Sequence, residues 1–161
     1  MRRRWGLCFF VAVCSLATGQ AWAQLKSQGY AFVAPGGTSP ETRATLHFGA
    51  GGEVLVHKGL GAGAELGYLA PTESLGDGFG LFSVNASYHF FGSSSQKLVP
   101  FITGGYSLSF RSETANFANF GLGLSYWFRR RAGLRVEFRD HVRSGDGSVH
   151  FWGFRLGLSF R

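Results

Sequence analysis

From residue 27 onward, large apolar side chains recur at every second position, with small or polar residues between them. Across 43–56, Leu46, Phe48, Ala50, Gly52, Val54 and Val56 share one face, while Thr45, His47, Gly49, Gly51, Glu53 and Leu55 share the other. Across 60–70, Leu60, Ala62, Ala64, Leu66 and Tyr68 oppose Gly61, Gly63, Glu65 and Gly67. The same two-sided pattern continues through 79–90, 99–110, 116–128, 132–141 and 148–160. In the last of these, Trp152, Phe154, Leu156, Leu158 and Phe160 alternate with Gly153, Arg155, Gly157 and Ser159. A period of two is the pleat of a half-buried strand, whereas a helix would repeat every three to four residues. With 27–34 at the start, the pattern predicts eight strands. Turn chemistry separates them: Pro35 to Pro40, His57-Lys58-Gly59, Pro71 to Gly78, Gly92 to Ser95, Ser112 to Thr114, Arg129 to Arg131 and Ser144 to Gly147.

Alternation alone does not say which face is inside. Two features decide it. The apolar face carries far more large side chains than an eight-stranded barrel can enclose, since such a barrel has room for little beyond its own side chains. The opposite face is glycine, serine and charges of both signs, and the three lysines, Lys26, Lys58 and Lys97, fall outside the predicted strands. The apolar face therefore points outward into hydrocarbon. In lipid an unpaired backbone polar group costs several kcal/mol, so strands must close on themselves. The expected fold is all-β: an eight-stranded antiparallel up-and-down transmembrane β-barrel. An even strand number puts both ends of the barrel chain on one side, the periplasmic one. Tyr30, Tyr88, Phe90, Tyr126, Phe128 and Phe160 are then expected in a girdle at that rim, with Tyr68, Phe110, Phe138 and Trp152 toward the outer rim. Asp140 is the one charge expected on the apolar face.

The chain begins differently. Met1-Arg2-Arg3-Arg4 is a charged start, Leu7 to Ala17 an apolar run too short for a membrane anchor, and Ala21-Trp22-Ala23 a small-x-small cleavage pattern. Residues 1–23 read as a secretory signal peptide and residues 24–161 as the barrel domain. Both cysteines, Cys8 and Cys14, lie in the leader, which leaves the barrel without disulfide or cysteine chemistry. The formal charge of +7 falls to +4 without Arg2, Arg3 and Arg4, and the scattered cations that remain do not suggest nucleic acid. The 25 glycines and 17 phenylalanines, with only 16% charged residues, suit a greasy outer face over a crowded lumen.

Phe117 to Arg161 resembles the small eight-stranded outer-membrane barrel superfamily, the group of OmpA- and OmpX-like domains. Asn119-Phe120-Gly121-Leu122-Gly123-Leu124-Ser125-Tyr126-Trp127 leads through a short turn into Gly133-Leu134-Arg135-Val136-Glu137-Phe138-Arg139-Asp140. Trp152, Phe154, Leu156, Leu158 and Phe160 are similar to the final-strand signal that the barrel-assembly machinery recognises in that group. Arg161 departs from it, because the group prefers phenylalanine last. The resemblance implies localisation in the cell outer membrane. It also implies outer-membrane lipid and lipopolysaccharide as partners, the assembly machinery as a transient one, and a monomer.

For chemistry, Glu53, Glu65 and Glu137 share the predicted interior with Arg135, Arg139 and Arg155. Buried charges persist mainly when partnered, so these six are expected to form an ion-pair network that fills a narrow lumen and fixes register. No catalytic, cofactor or metal site is expected. His47 and His89 lack the neighbours of a zinc site, and Gly61 to Gly67 is a strand without the helix that a dinucleotide loop requires. The function expected is structural and envelope-maintaining, without catalysis. An alternative is an enzyme that modifies lipid A, for which His141 and Ser144 with Asp140 and Asp146 are the candidates. Another is a surface adhesion or binding protein working through the outer loops Pro35–Thr42, Pro71–Gly78, Arg111–Ala115 and Val142–Gly147. Arg111 and Arg143 are the loop cations placed to meet lipopolysaccharide phosphates.

Overall fold

The structure, a computed structural model, describes residues 26–90, 97–111, 114–143 and 148–161. The signal segment expected at residues 1–23 lies outside the described residues. Eight strands follow in order: β1 (Lys26–Ser39), β2 (Ala44–His57), β3 (Leu60–Pro71), β4 (Phe79–His89), β5 (Leu98–Phe110), β6 (Ala115–Trp127), β7 (Ala132–Arg143) and β8 (Val149–Phe160). A single 3-10 turn, Leu75–Asp77, sits between β3 and β4. Each strand pairs antiparallel with the next, and β8 pairs with β1 to close the barrel. The alternating pattern places β2 to β8 to within a residue or two.

The first strand differs. It runs on through Pro35-Gly36-Gly37, which turn chemistry marks as a loop, and ends at Ser39. On one side Pro35 stays in register opposite Leu46. On the other, the ladder to β8 resumes at Gly36↔Gly153 after Val33↔Leu156. Proline has no N–H to give to a ladder, and glycine supplies what closure needs there. A Cβ on Gly36 would lie 1.9 Å from the Trp152 carbonyl oxygen, so only glycine lets β1 come this close to β8. Barrel closure overrides the local turn preference.

The structure also corrects three expectations about β1 and the lumen. Tyr30 is not in the periplasmic girdle; it points inward with 7% of its surface exposed, because the even positions of β1 (Gln28, Tyr30, Phe32, Ala34) are the lumenal ones. Lys26 is the first residue of β1 rather than part of a loop. The lumen is less glycine- and serine-rich than expected, since Phe32, Leu69, Leu81, Phe101 and Phe117 are buried in it beside Trp127, which the alternation puts there.

The outer face is apolar along the remaining strands. Leu122 and Phe154 are 60% and 59% exposed, with Phe48, Leu66, Val84, Ile102, Phe120 and Leu156 continuing the surface around the circumference. Soluble monomers rarely expose so large a contiguous apolar surface, and a bilayer is the solvent that accepts it. The β2–β3 hairpin closes through Lys58 and Gly59, both at positive φ (38° and 91°), which matches the twist of the strands it joins.

Two outcomes are expected. Leu122→Arg, at the middle of β6 on the lipid face, lowers stability by about 2–4 kcal/mol in urea unfolding from vesicles. Gly36→Ala abolishes the unboiled electrophoretic form characteristic of a closed barrel, whereas Gly104→Ala keeps it, because a Cβ there meets its nearest neighbour at an ordinary 3.7 Å.

Candidate functional site

The lumen contains all six charges that the alternation assigns to it: Glu53 (β2), Glu65 (β3), Arg135, Glu137 and Arg139 (β7) and Arg155 (β8), each buried. They belong to one continuous set of polar contacts. Toward the end where β1 begins, Glu53 accepts hydrogen bonds from Ser87 Oγ at 2.6 Å and Arg135 Nη1 at 3.3 Å, and from Gln28 Nε2. His89 Nε2 lies 2.9 Å from the same carboxylate. Arg135 Nε donates to Glu137 Oε2 at 3.1 Å, and the other oxygen of Glu137 pairs with the Arg139 guanidinium. Arg139 Nη1 donates to Asn119 Oδ1 at 2.9 Å, and Asn119 Nδ2 donates to Ser107 Oγ at 2.8 Å.

The set then crosses to the other side of the lumen. Ser107 Oγ lies 3.2 Å from His141 Nδ1, and Arg155 Nη2 lies 3.2 Å from His141 Nε2 and 3.3 Å from His47 Nδ1. Arg155 Nη1 donates to Glu65 Oε2 at 2.8 Å, an oxygen that also accepts from the Tyr30 hydroxyl at 3.1 Å. Aromatic rings support two of the guanidiniums. Arg135 lies over Phe101 (3.9 Å to the centroid) and Tyr30 (4.5 Å), and Arg155 over Phe32 (4.2 Å). Planar, weakly hydrated guanidinium suits this stacking better than lysine ammonium would.

Three carboxylates against three guanidiniums leave the cluster formally neutral. The space left beside His47, His141, Arg139 and Arg155 is a cavity of about 10 Å³, the room of roughly one water molecule. Above it, Phe79, Phe117 and Phe151 pack edge-on and stacked at 5.7–6.5 Å between ring centroids. Beyond these rings, at the opposite mouth from the start of β1, lies an open basin of about 460 Å³ bordered by Thr38, Glu41, Arg43, Leu69, Phe79 and Phe151. No group of three or more histidine, cysteine or acidic side chains suited to a metal occurs among the described residues.

Ser87, Ser107 and Asn119 lie on the inward faces that the alternation gives, whereas the participants that sequence reasoning missed are Gln28, Tyr30, Phe32, Phe101 and His141. Parity was the available signal for those outside β1. Phe101, for example, shares the odd positions of Thr103 and Ser107.

Of the residues proposed for a lipid-modifying site, the two that the structure describes, Asp140 and His141, lie on opposite faces of β7. His141 is buried in the lumen with Ser107 and Arg155, whereas Asp140, its neighbour in sequence, lies on the opposite face of β7, where it is covered and only 7% exposed. Ser144 and Asp146 lie outside the described residues. Asp140 Oδ2 instead lies 2.8 Å from His150 Nδ1 across the β7–β8 ladder. His150 lies opposite Ser39 of β1 in the register, on the same outer face.

No family model matches the sequence, and none of the curated proteins does. Solved structures match it over most of its length. The N-terminal β-barrel domain of Pseudomonas aeruginosa OprF shares 17% identity and a TM-score of 0.62, covering 83% of this chain and 96% of that one. Neisserial surface protein A (NspA) shares 16% identity and a TM-score of 0.63 over 83% and 94%. The outer membrane enzyme PagL shares 16% identity and a TM-score of 0.57 over 80% and 97%. The chain has the fold of the small eight-stranded outer-membrane barrels.

If the lumenal pairs hold the strands in register, removing one partner strands a buried charge. Glu137→Ala is expected to cost about 3–5 kcal/mol. Glu41→Ala, at the exposed pair with Arg43, is expected to change stability by less than about 1 kcal/mol. Urea titration of the two variants in the same vesicles measures the contrast.

Proposed function

We propose that the protein is a non-catalytic structural barrel of the cell outer membrane that helps maintain the envelope, its lumen filled by side chains rather than open as a channel. The observation that carries this reading is the unbroken polar set from Gln28 and Glu53 to Arg155 and Glu65, neutral in charge and backed by aromatic rings. A conducting pore needs a continuous aqueous path, and this lumen is occupied across its width by paired groups. Outer-membrane lipid and lipopolysaccharide are the partners in this reading. The barrel-assembly machinery meets the chain during biogenesis through the alternating face of Trp152, Phe154, Leu156, Leu158 and Phe160, all of which lie on the exposed side of β8.

One observation favours a second reading. The Asp140–His150 pair on the outer wall has the acid–imidazole order of a general base, and PagL, of similar fold, is an outer membrane enzyme. Lipid modification would then occur at the wall, and the lumen would remain structural.

Purified protein in planar bilayers is expected to show no stepwise current, and discrete conductance steps from the wild type would overturn the filled-lumen reading. Lipid A mass spectra from cells with and without the gene are expected to be identical. A mass difference that disappears in His150→Ala would replace the structural reading with the enzymatic one.

A further inference from the structure

The charges of this barrel are sorted by height. Among the described residues every acidic side chain is lumenal (Glu53, Glu65, Glu137), on the other face of β7 at Asp140, or in the β1–β2 and β3–β4 connections (Glu41, Glu73, Asp77), which lie at one end. Among the described residues the opposite end, where β1 begins and β8 finishes, has none. Its turns and strand ends hold seven cations, with Lys26 and Lys58 on the β1–β3 side.

The other five gather on one arc. Lys97 precedes β5, Arg129, Arg130 and Arg131 form the β6–β7 turn, and Arg161 follows β8; all are exposed. The backbone draws them together. The Trp127 amide donates to the Lys97 carbonyl at 2.7 Å, and the Arg161 amide donates to the Arg131 carbonyl at 3.2 Å. Arg161 Nε donates to the Arg130 carbonyl at 3.1 Å, and its guanidinium lies 4.0 Å over the Trp127 ring. Arg161 is thus fixed in place, while the turn arginines project from the barrel end.

Depth identifies what they meet. Phe128 and Phe160 directly precede Arg129 and Arg161, and with Tyr126 and Tyr88 they are exposed on the outer face. Aromatic residues in this position mark the boundary of the hydrocarbon, so the cations one to three residues beyond stand at the level of lipid headgroups. Arginine recognises phosphate through paired N–H donors.

We propose that this arc binds the phosphates of anionic phospholipids in the adjoining leaflet and selects them over zwitterionic ones. The inference rests on the membrane-barrel reading and, for the leaflet to be periplasmic, on the ends of β1 and β8 facing the periplasm. A soluble anionic polymer would need a focal surface facing away from the membrane. The aromatic band that leads directly into these cations favours lipid instead.

The test uses the full protein, extracted from membranes and reconstituted in phosphatidylcholine vesicles with trace spin-labelled phosphatidylglycerol or phosphatidylcholine. Electron paramagnetic resonance reads the motionally restricted fraction of each label. Phosphatidylglycerol is expected to associate more strongly, and the preference to shrink in high salt. It is expected to fall by up to about fivefold for each cation removed in Arg129→Gln/Arg130→Gln/Arg131→Gln. The opposite-end variant Arg43→Gln/Arg111→Gln/Arg143→Gln is expected to keep it. Equal association of the two lipids with wild type overturns the proposal. So does a preference that survives the turn substitutions, one lost only in the opposite-end variant, or loss of binding to isolated peptidoglycan, rather than to lipid, in the turn variant. If the turn variant fails to fold, as electrophoresis of unboiled samples would show, the wild-type comparison of the two labels at low and high salt decides. Because conductance is measured separately, failure here leaves the filled-lumen reading standing or falling on its own result.

Discussion

A backbone polar group in hydrocarbon has no water to bond, and this single constraint organises the molecule. A sheet with a free edge would leave a row of unpaired N–H and C=O groups in lipid at several kcal/mol each. Closure of β8 on β1 removes the edge, and the chain adapts locally to achieve it. Around Pro35, where no N–H is available, Gly36 brings the two backbones into a contact that no side chain would permit. Closure with eight strands also sets the diameter, and so the amount of lumen to be filled.

What fills it follows from the same geometry. The lumenal set draws on every strand: Gln28 and Tyr30 from β1, Glu53 from β2, Glu65 from β3, Ser87 and His89 from β4, Ser107 from β5, Asn119 from β6, three charges from β7 and Arg155 from β8. A one-residue slip of any strand reverses its faces. In β2, β3, β7 or β8 it would turn a buried carboxylate or guanidinium into lipid and break its pair, so the cluster makes the correct register of those strands much cheaper than its neighbours. Replacing such pairs by apolar residues can leave stability unchanged or raise it. Specificity of register, more than net stability, is the physical reason to keep them.

The fold was legible because a membrane barrel writes its two solvents into alternate residues. From Ala44 to Phe160 the period of two gave strands, faces and the six lumenal charges. It was least legible at β1, where Pro35-Gly36-Gly37 carries the chemistry of a turn and the faces swap parity, so that Tyr30 enters the lumen instead of the girdle. There, tertiary closure outweighs local preference. The aromatic residues of the lumen were obscured for a different reason. Phe101 and Phe117 read as lipid-facing by type, and only the neighbours they share parity with place them inside. The Asp140–His150 pair is hidden in the sequence because His141 is the histidine adjacent to Asp140, although adjacent strand residues face opposite ways. His150, at matching parity on the neighbouring strand, is the one within reach.

That pair also bears on what the protein does. An acidic side chain facing lipid is costly at the bilayer centre but costs about 0–1 kcal/mol near the interface. Asp140 lies three residues from the end of β7, opposite Trp152, and His150 bonds its carboxylate. Depth, cover that leaves Asp140 only 7% exposed, and the His150 bond to Oδ2 are what this position offers the carboxylate, while its Oδ1 stays buried without a partner. The carboxylates of the lumen answer the same problem differently. At mid-membrane depth the cost is high, and there every one of them has a guanidinium in contact or one residue removed along the polar set. The distribution of charge, paired deep in the lumen and placed near the rim on the wall, is the one that a stable barrel in a membrane requires.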